Sequence, residues 1–285
     1  MTQLRIAIQT KGRLNEDSMQ LMEEAGIKIN LGKRKLLAAA KNFPLEVLFL
    51  RDDDIPQAVA DQVADIGIVG ENEMLEKKEQ VKIIKRLGFS KCRLSLAIPK
   101  SEDYPGIEWF NGKKIATSYP VILKDFLDKN NVTADIHVIS GSVEIAPGIG
   151  LADAIFDIVS SGSTLVSNRL KEVEVALHSE AVLVAPENLS PEKQAIVDEM
   201  IFRMESVERA KGKKYILLNS PNDKIQEISA ILPGMKSPTV TPLAEEGWSS
   251  LHSVIAENDF WEIIGKLKAA GAQGILVVPI EKMIF

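Results

Sequence analysis

Short apolar runs that end in glycine or a charged residue, each followed by a segment of helical period, recur along this chain and confine it to an α/β fold. Leu4–Gln9 reads as a strand ending in Thr10, Lys11 and Gly12, and residues 15–25 as a helix closed by Gly26. Leu45–Leu50 is a second strand. A helix over 55–63 follows, with Pro56 tolerated in its first turn and Asp54 expected to cap it. Residues 64–69 form another strand, ending at Gly70 and Glu71. Such β-α-β units imply parallel sheets with ligands at the carboxyl ends of the strands. A second set begins at 93–98 and continues through Lys114–Thr117, the helix Pro120–Lys129, 135–139 and Ala154–Val159, with 182–185 as a return crossing. Two α/β lobes are the simplest account. Beyond the charged segment 205–214 the order becomes strand 215–219, helix 223–232, strands 239–243 and 250–256, helix 259–270 and strand 275–279. That βαββαβ order is ferredoxin-like.

The stretch ADAIFDIVSSGSTL, residues 152–165, carries the strongest chemical signal. If Ala154–Val159 is a strand, Ser160, Ser161, Gly162, Ser163 and Thr164 turn tightly after it and aim N–H groups and hydroxyls at one point, as a phosphate requires. Asp157, just before the loop, suits sugar hydroxyls or a metal-bound water rather than phosphate. Together they suggest a phosphorylated sugar. An ordinary strand-to-helix turn with a hydroxyl cap has the same letters. The pattern is neither a Walker A loop nor GxGxxG.

The chain of 285 residues is 45% hydrophobic, ample for a buried core. Its net charge of −6 and scattered basic residues leave no nucleic-acid footprint. The opening MTQLRIAI has no leader pattern and no apolar run approaches a membrane span, so the cytoplasm is the expected compartment. The single cysteine, Cys92, excludes an internal disulfide; Lys91 and Arg93 beside it would lower its pKa, whereas a strand-edge thiol has no such role. His137, His178 and His252 stand in unrelated settings and read as structural.

Seven segments in order, LRIAIQTKGRL, FLRDDDIP, DIGIVGEN, CRLSLAIP, GSVEIAP, the DIVSSGSTL loop with GLADA upstream, and LPGMKSPTVTPL, resemble the ATP phosphoribosyltransferase family over essentially the whole chain. The late segment resembles the long, self-regulated form. In the SSGST loop serine stands where threonine is frequent, and the donor hydroxyl is kept.

The resemblance implies two lobes like those of a solute-binding protein with the active site in their cleft, and a C-terminal regulatory domain. Residues 1–93 with 183–212 would form one lobe, 94–182 the other and 213–285 the histidine-binding domain. It implies the first step of histidine biosynthesis: ATP and phosphoribosyl pyrophosphate give N1-(5-phosphoribosyl)-ATP and pyrophosphate, with Mg2+ as cofactor and histidine as inhibitor. Homo-oligomers from dimer to hexamer are implied, and neither nucleic acid nor membrane is expected as a partner.

Carried over residue by residue, Asp157 would hold the ribose hydroxyls, and Ser160, Ser161, Gly162, Ser163 and Thr164 the 5-phosphate. Glu144 and Asp153 are candidates for ribose or magnesium contacts; for Glu144 the alternative is an acid favoured at a helix start. Lys11, Arg13, Arg51, Asp65, Gly70 and Glu71 are candidates on the ATP side, with ordinary loop and turn chemistry as the alternative for several. Asn219, Met235, Ser237, Thr239 and Ala272 are the candidates for the histidine site. A solute-binding or sensor module would share the two lobes but needs no acid before its loop. A regulatory subunit paired with a separate catalytic chain would not need the intact loop.

Overall fold

The computed structural model describes residues 2–30, 36–232 and 237–284. They fall into two compact units, one built from the chain up to Glu23 and from Ile27 to Asp198, the other from Glu24–Gly26 and the chain from Glu199 onward. In order, the chain forms β1 (Leu4–Gln9), α1 (Arg13–Glu24), β2 (Leu37–Ala39), β3 (Leu45–Leu50), α2 (Ile55–Ala60), β4 (Ile66–Gly70), α3 (Glu71–Lys77) and β5 (Val81–Arg86). There follow β6 (Cys92–Pro99), β7 (Lys114–Thr117), α4 (Pro120–Lys129), β8 (Asp135–Val138), β9 (Ala154–Val159), α5 (Ser163–Ser167), β10 (Leu170–Ser179), β11 (Ala181–Pro186) and α6 (Pro191–Ala210). The chain continues with β12 (Lys213–Pro221), α7 (Ile225–Ile231), β13 (Thr239–Pro242), β14 (Trp248–Ala256), α8 (Phe260–Ala269) and β15 (Gln273–Pro279).

The first unit contains two sheets. One has the order β2-β3-β1-β4-β11-β5, with β1 parallel to both β3 and β4. Leu4, Ile6, Ala7 and Ile8 of β1 are all fully buried, as a strand at the centre of such a sheet requires. The other has the order β10-β6-β9-β7-β8, in which β7, β8 and β9 are parallel. Phe110 and Phe156 fill its core with Leu94, Leu96, Ile98 and Leu123. The chain passes between sheets twice, through residues 87–91 and back at Glu180. The crossings are hydrogen-bonded to each other, Leu87 N–H to the Ala181 carbonyl at 2.9 Å and Ala181 N–H to that of Phe89 at 3.0 Å. Residues 182–185, read from sequence as the return crossing, are therefore a strand of the first sheet.

The second unit carries a four-stranded antiparallel sheet, β13-β14-β12-β15. Ile216, Leu218, Leu251 and Ile255 alternate inward and bury against Ile228 of α7 and Leu267 of α8. This is the ferredoxin-like order.

Several elements were not legible in the letters. Strands β2, β5 and β10 are half-exposed edges without a clean apolar run, and α3 is a polar seven-residue turn of helix. The 20-residue α6 did leave a signal: Val197, Met200, Met204 and Val207 repeat at helical spacing and are buried. The helix expected over 55–63 stops at Ala60, because Gln62 adopts a φ of 59°. Asp54 occupies the position before it, but its side chain makes no capping hydrogen bond. Cys92 is half-buried and next to Ser179, and burial pushes its thiol pKa up, not down.

Gly67 of β4 lies against α2. A Cβ there would stand 2.6 Å from Ile55 Cγ2 and 3.0 Å from Val59 Cγ2. Gly67→Ala is expected to lower stability by about 1–3 kcal/mol through overpacking, read as a lower urea midpoint at unchanged slope. An unchanged midpoint would mean that α2 yields.

Candidate active site

Strand β9 delivers the site. Phe156 points into the core while its neighbour Asp157 is half-buried on the other face, beside Ser95 of β6. The Asp157 carboxylate accepts a hydrogen bond from the N–H of Ile158 at 2.8 Å. Burial nonetheless raises its pKa above the usual aspartate range; that bond opposes the shift and Glu144 adds to it. After Val159 the chain turns through Ser160 and Ser161 to Gly162, whose φ of 80° is left-handed and suits glycine, and enters α5. The first N–H groups of such a turn have no acceptor within the helix. Ser161 Oγ and Ser163 Oγ stand 3.0 Å apart, and Ser163 N–H points to Ser161 Oγ at 3.4 Å. These donors, with Thr164, Asp157, Glu144 and Arg13, line a pocket of about 230 Å³. The pocket thus combines hydroxyl and N–H donors with two carboxylates.

The loop has an anchor that sequence reasoning did not find. Arg93 donates to the Ser160 carbonyl at 3.1 Å and is itself held by Glu172 through bonds of 2.5 and 2.6 Å; Ser95 also donates to Glu172 at 2.6 Å. The Arg93 guanidinium holds the Glu172 carboxyl below its usual range. Nothing in the letters couples Arg93 to the loop, since its partner Glu172 lies 79 residues away.

Arg13, at the start of α1, is the one described residue from the first sheet's lobe in this pocket, with Nη1 3.4 Å from Ser160 Oγ. Lys11 and Arg51 follow β1 and β3, and Gly70 ends β4, at the same carboxyl edge. Arg51 is largely exposed and lies 3.3 Å from Asp53. Two expected residues are not brought there. Asp65 stands at the opposite end of β4, where its carboxylate accepts from Arg5 N–H at 2.8 Å and from Lys193 Nζ at 2.5 Å. Asp153 precedes β9, with its carboxylate on Lys114 N–H at 2.8 Å, a whole strand from the loop. Both acids satisfy the amino ends of strands. Glu71 is buried against the crossings, paired with Arg86 through bonds of 2.6 and 2.7 Å.

A buried polar network between the lobes was also missed. Tyr119 donates to Glu73 Oε1 at 2.7 Å, Asn72 Nδ2 to the same oxygen at 3.1 Å, and Ser179 Oγ to Asn72 Oδ1 at 2.8 Å. ENEMLEK, residues 71–77, is mostly charged and polar, so nothing in the letters marks it as buried.

In the second unit, half-buried Asn219 of β12 pairs with Gln273, close to buried Ala272. Thr239 begins β13 and pairs with His252 of β14, with exposed Ser237 just before it. Strand β14 lies between Asn219 and Thr239, which puts them roughly 10 Å apart across the sheet at the usual strand spacing. Met235 lies outside the described residues. His252 is held on both ring nitrogens, by Tyr215 and Ser250 at 3.0 Å each.

Fold and site together define a two-lobed α/β protein with a hydroxyl-rich loop preceded by a half-buried acid, and a ferredoxin-like C-terminal domain. The family model described as HisG, ATP phosphoribosyltransferase, matches residues 51–206, and that of the HisG C-terminal domain matches 210–282. An ATP phosphoribosyltransferase of Parabacteroides distasonis is 71% identical over 281 residues, covering 99% of both chains. One of Bacteroides thetaiotaomicron is 68% identical with the same coverage. Among solved structures, a chain of the ATP phosphoribosyl transferase (HisG:HisZ) complex from Thermotoga maritima superposes with a TM-score of 0.61 at 28% identity, covering 71% of this chain and 98% of that one. A periplasmic sulfonate-binding protein from Methylobacillus flagellatus shares the two-lobed fold, with a TM-score of 0.50 at 17% identity over 74% of this chain and 69% of its own. The chain belongs to the ATP phosphoribosyltransferase family of histidine biosynthesis and carries that family's C-terminal domain.

Proposed function

We propose that this protein transfers the phosphoribosyl group of phosphoribosyl pyrophosphate to N1 of the adenine of ATP. The bond from C1 to N1 forms as that from C1 to the pyrophosphate oxygen breaks. The observation that supports this best is the loop pocket, with hydroxyl and N–H donors from Ser161 to Thr164 at one end and the Asp157 carboxylate at the other. The donors suit the 5-phosphate and Asp157 the ribose hydroxyls. Positive charge develops on the sugar as pyrophosphate departs, and Asp157 and Glu144 are the acids that face it. Arg13, with Lys11 and Arg51 at the neighbouring edge, supplies cations for the phosphates of pyrophosphate and ATP.

Magnesium would arrive with phosphoribosyl pyrophosphate and screen the leaving group. No cluster of three metal-ligating side chains occurs among the described residues. The pocket's two carboxylates nevertheless fit an ion that is held mainly by substrate oxygens and water. The small domain would bind histidine as an inhibitor, in a homo-oligomer; the distance between Asn219 and Thr239 within one sheet is consistent with a site that needs a further surface. No helix among the described residues is long and apolar enough to cross a membrane.

The test is formation of phosphoribosyl-ATP from ATP, phosphoribosyl pyrophosphate and magnesium, with and without histidine. Product that falls on adding histidine is expected. Phosphoribosyl pyrophosphate with magnesium should also stabilise the fold by about 2.7 kcal/mol at a hundred times its Kd. A folded sample with neither product nor a melting shift would overturn the assignment in favour of a binding module.

A further inference from the structure

Among the described residues, the loop pocket is walled by Glu144 and the segment from Ile155 to Leu165 in one lobe and by Arg13 from the other. Its geometry therefore depends on the angle between the lobes. Helix α3, in the lobe of Arg13, makes three separate attachments to the lobe of Asp157. Asn72 N–H donates to Ser179 Oγ at 3.1 Å, and that hydroxyl donates back to Asn72 Oδ1 at 2.8 Å. Tyr119 OH donates to Glu73 Oε1 at 2.7 Å. The Glu76 carboxylate accepts from Val121 N–H at 2.9 Å and Ile122 N–H at 3.0 Å, in the first turn of α4. Those N–H groups have no acceptor within their own helix, and Tyr119 at the capping position makes no side-chain cap. The acceptor is thus borrowed from the opposite lobe.

Asn72, Glu73, Tyr119 and Ser179 are all buried, at 4–8% exposure, so parting the lobes here would strand desolvated polar groups. Gly70 makes room for the arrangement: a Cβ there would stand 2.5 Å from Asn72 Oδ1. Burial also raises the Glu73 pKa, with the Tyr119 bond opposing the shift, and its Oε1 accepts that bond in either protonation state.

We propose that Glu73 and Glu76 are positioning residues, which latch the β7–α4 corner to α3 and so set Arg13 against the loop that follows Asp157. The proposal rests on the phosphoribosyl-transfer reading of that pocket and adds the device that holds its two sides in register. A misplacement of about 1 Å at such a site costs roughly 100-fold in rate.

Three variants test it: Glu73→Gln keeps the acceptor without the charge, Glu73→Leu removes it, and Glu76→Ala removes the borrowed cap. Steady-state kinetics with phosphoribosyl pyrophosphate would be combined with hydrogen exchange at the Val121 and Ile122 amides in the full-length protein. Glu73→Leu and Glu76→Ala are each expected to lower kcat/KM by about 10–100-fold, with about tenfold faster exchange at those amides, while Glu73→Gln stays within about threefold of the parent. Loss in Glu73→Gln equal to that in Glu73→Leu would make the charge, not the latch, the working feature and overturn the proposal. So would faster exchange or a lower melting point with unchanged kinetics in both Glu73→Leu and Glu76→Ala. Parent protein that makes no product would count against the reaction; unchanged exchange in the variants would then refute the latch by itself.

Discussion

Asp157→Asn should reduce turnover by about 100- to 1000-fold and leave the fold intact or slightly firmer. The amide has nearly the same shape and can still accept from Ile158 N–H, so packing at the end of β9 is preserved. What is lost is the negative charge that, in the proposed reaction, faces the sugar. The stability side follows from the raised pKa, caused first by burial and then by Glu144. Below about 3.8, the ordinary aspartate value, both folded and unfolded forms are protonated and the residue contributes nothing to the pH dependence. As pH rises through the elevated folded value, the unfolded chain ionises more readily, and the native carboxylate becomes a penalty that persists at neutral pH. Melting points measured from pH 3 to 8 should therefore show the variant equal to the parent at the acid end and equal or higher at pH 7. A variant that loses activity and stability together would make Asp157 a structural residue.

The second large effect is expected at Gly162. Its φ of 80° and ψ of 1° lie in the left-handed region, and the nearest atom to an added Cβ would be Val159 Cγ1 at 4.0 Å. Space is therefore available, and the difficulty is the backbone. A β-branched residue there costs about 1–3 kcal/mol of strain, which the loop can relieve by flipping out of its turn. Flipping would part the hydroxyls of Ser161 and Ser163, now 3.0 Å apart, and redirect the first N–H groups of α5. Gly162→Val should raise the KM for phosphoribosyl pyrophosphate about 100-fold and abolish the ligand-induced rise in melting point. Gly162→Ala should do the same to a smaller degree. Binding of phosphoribosyl pyrophosphate by Gly162→Val at parent affinity would remove the loop from the site.

Where local chemistry governs, the letters were enough. DIVSSGST announces its strand, its turn and its donors within eight residues, because such a loop is made by the backbone next to it. The parallel strands β1, β3 and β4 were readable from buried apolar runs, and the βαββαβ order of the second unit from alternation and glycine punctuation. Asp65 and Asp153 show the limit. Each adjoins a legible strand, yet each sits at its amino end, engaged with Arg5 and Lys193 or with Lys114. Proximity in sequence to a site strand does not say at which end of it an acid stands.

The sequence by itself determined the α/β class, the hydroxyl-rich loop with its preceding acid, and the family, because these depend on short-range pattern and on residue types in fixed order. Only the tertiary structure decided which distant groups meet. Glu172 reaches Arg93 beneath the loop across 79 residues, Tyr119 meets Glu73 across 46, and Arg13 approaches Ser160 across 147. Such pairs are set by the order of strands in two sheets and by the crossings between them. An isolated glutamate or tyrosine has the same letters whether it ends in solvent or in a buried hydrogen bond; burial, which raises the energy of an unpaired polar group, is a property of the assembled lobes.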